Sequence, residues 1–208
     1  MSAAQAVSAE TLHRAAEVLR GGGLVAYPTD TVYGLGVDPT NDEAVDRLFA
    51  AKGRAPDQPM PLLIASPRDL ASVVAEVPEV AERLIAAFWP GGLTIVLPKA
   101  PTFHSKAVVG DTVGLRVPDH PVPCELVRLL GRPITGTSAN PAGGPEPLSA
   151  DDVRAQLGGA VDLVIDGGRC RGGTPSTVVD CTVSPPHIVR EGKISRGELV
   201  RAAGVQFT

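Results

Sequence analysis

The chain has 208 residues, 43% of them hydrophobic and 20% charged, with a net charge of −4. That balance is ordinary for a globular protein and excludes a molecule built as a whole to bind polyanions; any basic site must be local. Aromatics are 3% of the chain, too few for a base-stacking platform for single-stranded nucleic acid.

In chain order, Leu12, Ala15, Ala16 and Leu19 predict a helix over 9–20, with Ser8 as its N-cap and Gly21–Gly23 ending it. LVAY (24–27) reads as a buried strand. It runs into PTDTVYGLG (28–36), where Thr29, Thr31 and Tyr33 would share one side of an extended chain. Asn41 caps a helix DEAVDRLFAAK, acidic at its start and ending on Lys52, as the macrodipole favours. PLLIA (61–65) is a strand, SPRDL opens a helix capped by Ser66, and PEVAERLIAAF (78–88) is a further helix stopped by Pro90-Gly91-Gly92.

LTIVL (93–97) and TVGLRV (112–117) are strands, CELVRLL (124–130) a helix, and ITGT (134–137) a short strand entering a turn. Ser149 begins a capped helix to Leu157. VDLVID (161–166), STVVDCT (176–182) and HIVR (187–190) are strands, and Ser195 with Glu198 forms a capping box for a last helix. Helices and strands alternate and then strands cluster, which predicts an α/β fold, a mixed sheet with helices on its faces. One domain over 1–208, without a further C-terminal domain, is expected.

Cys124, Cys170 and Cys181 lack CxxC spacing, so no disulfide framework or zinc knuckle follows and a reducing, cytoplasmic setting is expected. The N-terminus has no apolar stretch suited to a signal peptide, and no run suited to a membrane span occurs. No Walker phosphate loop and no HExxH is present, Asn140 replaces the last glycine of a GxSxG elbow, and the four histidines are scattered; no metal-centred hydrolase is implied.

Four stretches could carry chemistry. Lys52 and Arg54 flank Gly53 at a helix end; they are either dipole compensation on a solvated surface or a phosphate clamp. Arg116 lies in an apolar strand, where a lone charge is costly. It is either paired structurally, for example with Asp166 or Asp180, or is a two-pronged carboxylate receptor. PITGTSANPAGG (133–144) and STVVD (176–180) repeat the hydroxyl-rich strand end seen at PTDT. In α/β sheets ligands bind where such ends converge, so the hydroxyls are expected to wall one polar pocket, with glycines admitting backbone amides.

PTDTVYGLG, KGRAPDQPMPLL, WPGGLTIVL, VGLRVPDHP, PITGTSAN and STVVDCT…IVREGKIS together resemble the YrdC-type (TsaC) threonylcarbamoyl-adenylate synthases, from about residue 10 to about residue 200. The resemblance implies a twisted mixed sheet with a concave, positively lined face. It implies that L-threonine, bicarbonate or carbon dioxide, and ATP give threonylcarbamoyl-AMP and pyrophosphate, with Mg2+ on the phosphates. It also implies a transferase complex that passes the group to tRNA beside the anticodon. Carried over, Thr31, Arg116, Ser176 and backbone at Gly136 hold threonine. Arg54, Gln58, Thr112, Ser138, Asn140, Glu146 and Arg190 hold ATP, and Lys52 and Arg54 act at the phosphates. Leu63 stands where longer relatives carry a threonine-contacting histidine. The rival within the same fold is an RNA-binding module without turnover, against which the net charge and sparse aromatics count.

Overall fold

The structure is a computed structural model that describes residues 7–55 and 58–208. Residues 1–6, within the N-terminal stretch read above for a signal peptide, and 56–57, inside the proline-studded run after Lys52, lie outside the described residues. The elements are α1 (Ala9–Arg20), β1 (Val25–Tyr27), β2 (Gly34–Gly36), α2 (Asp42–Lys52), β3 (Leu62–Leu63), α3 (Glu79–Phe88), β4 (Leu93–Pro98), β5 (Thr112–Arg116) and α4 (Pro121–Leu130). They continue with β6 (Ile134–Thr135), β7 (Thr137–Ser138), α5 (Ala150–Leu157), β8 (Leu163–Val164), β9 (Thr177–Asp180), β10 (His187–Arg190) and α6 (Arg196–Ala203).

The helix termini follow local chemistry. Ser8, Asn41, Ser149 and Ser195 each accept from a backbone N–H of the first turn, satisfying an otherwise orphan donor. Gly53, Gly131 and Gly204 close α2, α4 and α6 in the left-handed region, where glycine carries no Cβ penalty. Two helices differ from expectation. The helix after Ser66 is a 3-10 turn, Pro67–Ser72. α4 starts three residues early because His120 accepts from Val122 N and Pro121 sits at the first helical position, where no N–H is needed.

Where one mixed sheet was expected, there are two, ordered β7-β2-β1-β8 and β10-β9-β4-β5-β3-β6. Several strands are shorter than their apolar runs: only Leu62–Leu63 pairs within 61–65 and only Leu163–Val164 within 161–166. The expected strand ITGT is broken at Gly136. Ile134–Thr135 pairs with β3 in the larger sheet, and Thr137–Ser138 pairs with β2 in the smaller one. Gly136 N donates to Pro61 O at 2.8 Å, and a Cβ there would stand 2.8 Å from Leu63 Cγ and Cδ2. Only glycine fits this corner as it stands.

The larger sheet is a partition with period two. Leu93, Ile95, Leu97, Val113, Leu115 and Val179 are buried in a core shared with Ala81, Leu84 and Ile85 of α3 and Leu199 and Ala203 of α6. Thr94, Val96, Gly114, Arg116 and Val178 point the other way, into a cavity. A second cluster joins α1 and α4 through Leu19, Leu126, Val127 and Leu130 to Tyr27 and Ile134.

A cationic cavity between the two sheets

The cavity has a volume of about 590 Å³ and is lined from both sheets, by Tyr27, Gly34, Thr137 and Ser138 on one side and by β4, β5, β9 and β10 on the other. It gathers Thr31, Arg116, Gly136 and Ser176 of the residues expected to hold an amino acid. From the nucleotide set it gathers Arg54, Thr112, Ser138, Glu146 and Arg190. Gln58, Asn140 and Lys52 are not among its lining residues.

The row of three hydroxyls expected at PTDTVY does not form. Residues 30–32 bend instead of running straight, so the shared side that an extended chain would give is lost. Thr29 Oγ1 donates to Val32 O at 2.6 Å and accepts from Thr31 N at 3.1 Å, an ST-type turn. Thr29 and Thr31 reach the cavity. Tyr33 turns inward, donates to Gly168 O at 2.8 Å and accepts from Gly167 N, which ties down the 167–168 loop. The paired glycines of GLG serve Tyr27: a Cβ at Gly34 or Gly36 would stand 2.6 or 2.8 Å from its ring. Tyr27 lies across both and donates to Thr135 O at 2.8 Å.

Arg116 is paired, but not with Asp166 or Asp180. Its Nη2 donates to both oxygens of Asp30 at 2.6 and 2.7 Å, and Nε donates to Gly91 O at 2.8 Å. The partner lies 86 residues away in sequence, so spacing could not reveal it. Arg190 donates to Ser176 O at 2.8 Å and Ser176 Oγ at 3.1 Å, and Ser176 Oγ lies 3.0 Å from Thr94 Oγ1. Burial, with Arg116 nearby, pushes the Arg190 pKa down. Arg54 donates to Pro59 O at 2.9 Å while its buried Nε has no partner among the described residues. Neither Arg54 nor Arg190 has a carboxylate partner among the described residues, and among the described residues lining the cavity Glu146 is the sole carboxylate. The wall is therefore cationic, as anion capture requires.

Lys52 is placed differently from its expected position at the phosphates. It is 4% exposed, and its Nζ donates to Ser138 O at 2.5 Å and Asn140 O at 2.7 Å. An ammonium bound to two carbonyls beneath the turn positions Ser138 rather than facing the cavity. Burial, with Arg54 adding to it, pushes its pKa down to about 8. Asn140 acts within the same turn, Nδ2 donating to Gly144 O at 2.8 Å, and Gln58 is exposed. The Gly136 N–H is engaged by Pro61, so a ligand taking that donor must displace this bond. Sequence reading missed Thr94, the polar residue within LTIVL, and Asp30; the first stood out by composition, the second did not. No helix among the described residues is long and apolar enough to cross a membrane.

The family model described as telomere recombination, Sua5/YciO/YrdC, matches residues 17–192. The chain is 44% identical over 191 residues to a threonylcarbamoyl-AMP synthase of Pyrococcus abyssi, covering 91% of this chain and 56% of the relative. It is 39% identical over 193 residues to one of Bacillus subtilis, covering 92% and 56%. The crystal structure of P. abyssi Sua5 complexed with L-threonine superposes with a TM-score of 0.87 at 41% identity, covering 95% of this chain and 58% of that one. The chain thus spans about half the length of these relatives. With the family model spanning most of the sequence and 95% of the chain superposing on a solved member, the chain belongs to the Sua5/YciO/YrdC family.

Proposed function

We propose that the protein is an L-threonylcarbamoyladenylate synthase, a nucleotidyltransferase of the cytoplasm. Threonine's amine and carbon dioxide give a carbamate and a proton. A carbamate oxygen attacks the α-phosphorus of ATP, and the bond to pyrophosphate breaks. The nucleophile is already anionic, so the protein's task is to orient two anions and neutralise charge rather than to supply a strong base. The observation that carries this reading is a single cavity in which Arg54, Arg116 and Arg190 stand among hydroxyl groups with one carboxylate.

In this reading Arg116, Thr31 and Ser176 hold threonine, with Gly136 forming the wall beside it. Arg54, Thr112, Ser138 and Arg190 hold the nucleotide. Lys52 and Asn140 set the 138–140 turn from behind, and Gln58 and Glu146 approach the nucleotide from flanking loops. A cavity wall with one carboxylate among the described residues fits Mg2+ arriving as the counterion of ATP, bound mainly by phosphate oxygens. The product, a reactive mixed anhydride, would pass to a transferase complex acting on tRNA.

The test is pyrophosphate release from ATP in bicarbonate buffer, with L-threonine, with serine and with neither. The expected result is release that requires an amino acid and favours threonine. Release independent of amino acid, or none in any mixture, refutes the reading.

A further inference from the structure

Asp30 takes no part in the reading above, and it is not among the residues lining the cavity. Its side chain is 8% exposed, and both its oxygens accept from Arg116 Nη2. With Nε held by Gly91 O, one edge of the guanidinium is pinned. Nη1 makes no hydrogen bond among the described residues, while Arg116 itself lines the cavity. An unpinned guanidinium presents two parallel donors to any carboxylate or phosphate oxygen pair. The pinned one presents a single free nitrogen, and its charge is offset by Asp30, which also lies 3.8 Å from the half-exposed Lys193 Nζ.

The contrast with the other two arginines gives the pair a purpose. Arg54 and Arg190 have no carboxylate partner among the described residues, so they remain attractive to a polyphosphate. The cavity must sort two anions, a highly charged nucleotide and a singly charged amino-acid carboxylate. An arginine with one edge held by a carboxylate is a poorer competitor for the former than Arg54 or Arg190 and an adequate one-point receptor for the latter. Asp30 also belongs to the turn that carries Thr31, whose carbonyl accepts from Gly172 N at 2.9 Å. Its carboxylate therefore ties that turn to β5.

We propose that Asp30 is a positioning residue that fixes Arg116 for the carboxylate of the amino-acid substrate and keeps phosphate from occupying it. This rests on the synthase reading. A pair that merely held the fold together would, when broken, damage both substrates' use alike.

The experiment compares the full chain with Asp30→Asn and Asp30→Glu. It measures KM for L-threonine and for ATP, threonine binding by calorimetry, and inhibition by inorganic tripolyphosphate. For Asp30→Asn, the threonine KM and calorimetric Kd should rise about tenfold or more, as for loss of a buried charge partner. The KM for ATP should stay within about twofold, and tripolyphosphate should become competitive against threonine. Asp30→Glu should restore all three. Equal rises in both KM values, an unchanged threonine KM, or failure of both variants to fold overturns the proposal. Absence of turnover in the unmodified protein would sink the synthase reading alone; the calorimetric comparison would still decide the role of Asp30.

Discussion

Replacing Lys52 by methionine separates a positioning ammonium from a surface charge. Methionine keeps the length and apolarity of the stem but leaves the carbonyls of Ser138 and Asn140 without their donor. Each buried acceptor so stranded costs about 1–3 kcal/mol. Against this, the wild type bears the cost of burying the ammonium. The drop from 10.5 to about 8, caused by burial and by Arg54, corresponds to about 3 kcal/mol. Two such acceptors cost about 2–6 kcal/mol, so the net change is about −1 to 3 kcal/mol of destabilisation, a fall in Tm of up to roughly 10 °C for a chain of this size, and the variant should fold. Pyrophosphate release should nevertheless fall by about a hundredfold or more, because the turn carrying Ser138 loses its anchor and small displacements in a reacting site are costly.

The same lysine gives a pH signature. Below about pH 8 it is protonated whether folded or unfolded, and the burial cost is fully present. Between about 8 and 10.5 the unfolded chain holds the proton that the folded chain has released, so this group's contribution to stability rises with pH. The stability of the wild type relative to Lys52→Met should therefore climb across that window in urea titrations. Activity within about threefold of wild type would refute the positioning role, and a stability difference flat with pH would refute the lowered pKa.

Gly136→Ala would place a methyl 2.8 Å from Leu63 Cγ and Cδ2. It should destabilise by about 1–3 kcal/mol, as overpacking does, and Leu63→Ala in the same chain should recover part of the loss; denaturant midpoints check both. Burial pushes the thiols of Cys124 and Cys170 up and that of Cys181 up to about 12. Thiolate reagents at pH 7 should accordingly react slowly with the native protein and fully after denaturation, and prompt native reaction would contradict the burial.

The helices were legible because their signals are local. Asn41, the acids after it and Lys52 bracket α2 to the residue, and each cap is a hydrogen bond across three residues. Strands were less so. An apolar run such as PLLIA or VDLVID shows that a segment is buried, but the ladder length depends on how much partner strand lies alongside. Gly136 could be read as a turn residue, yet the handover between two sheets that it makes depends on Pro61 and Leu63 from another part of the chain. At the site, most of the residues picked out by resemblance meet in the cavity, while the roles of Lys52, Tyr33 and Asp30 depend on partners 86 to 135 residues distant.

The crossing at Gly136 has a consequence for what lengths of chain the fold can accommodate. Five residues, from Ile134 to Ser138, stitch the smaller sheet to the larger, and the glycine in their middle is also part of the cavity wall. Adding or removing one residue there would turn the side chains of β7 to the opposite face and re-angle the chamber at a stroke. The stretch from Pro141 to Leu148 contains no strand or helix and can absorb insertions without that penalty. Divergence in loop length should accumulate just after the seam and stop sharply at it.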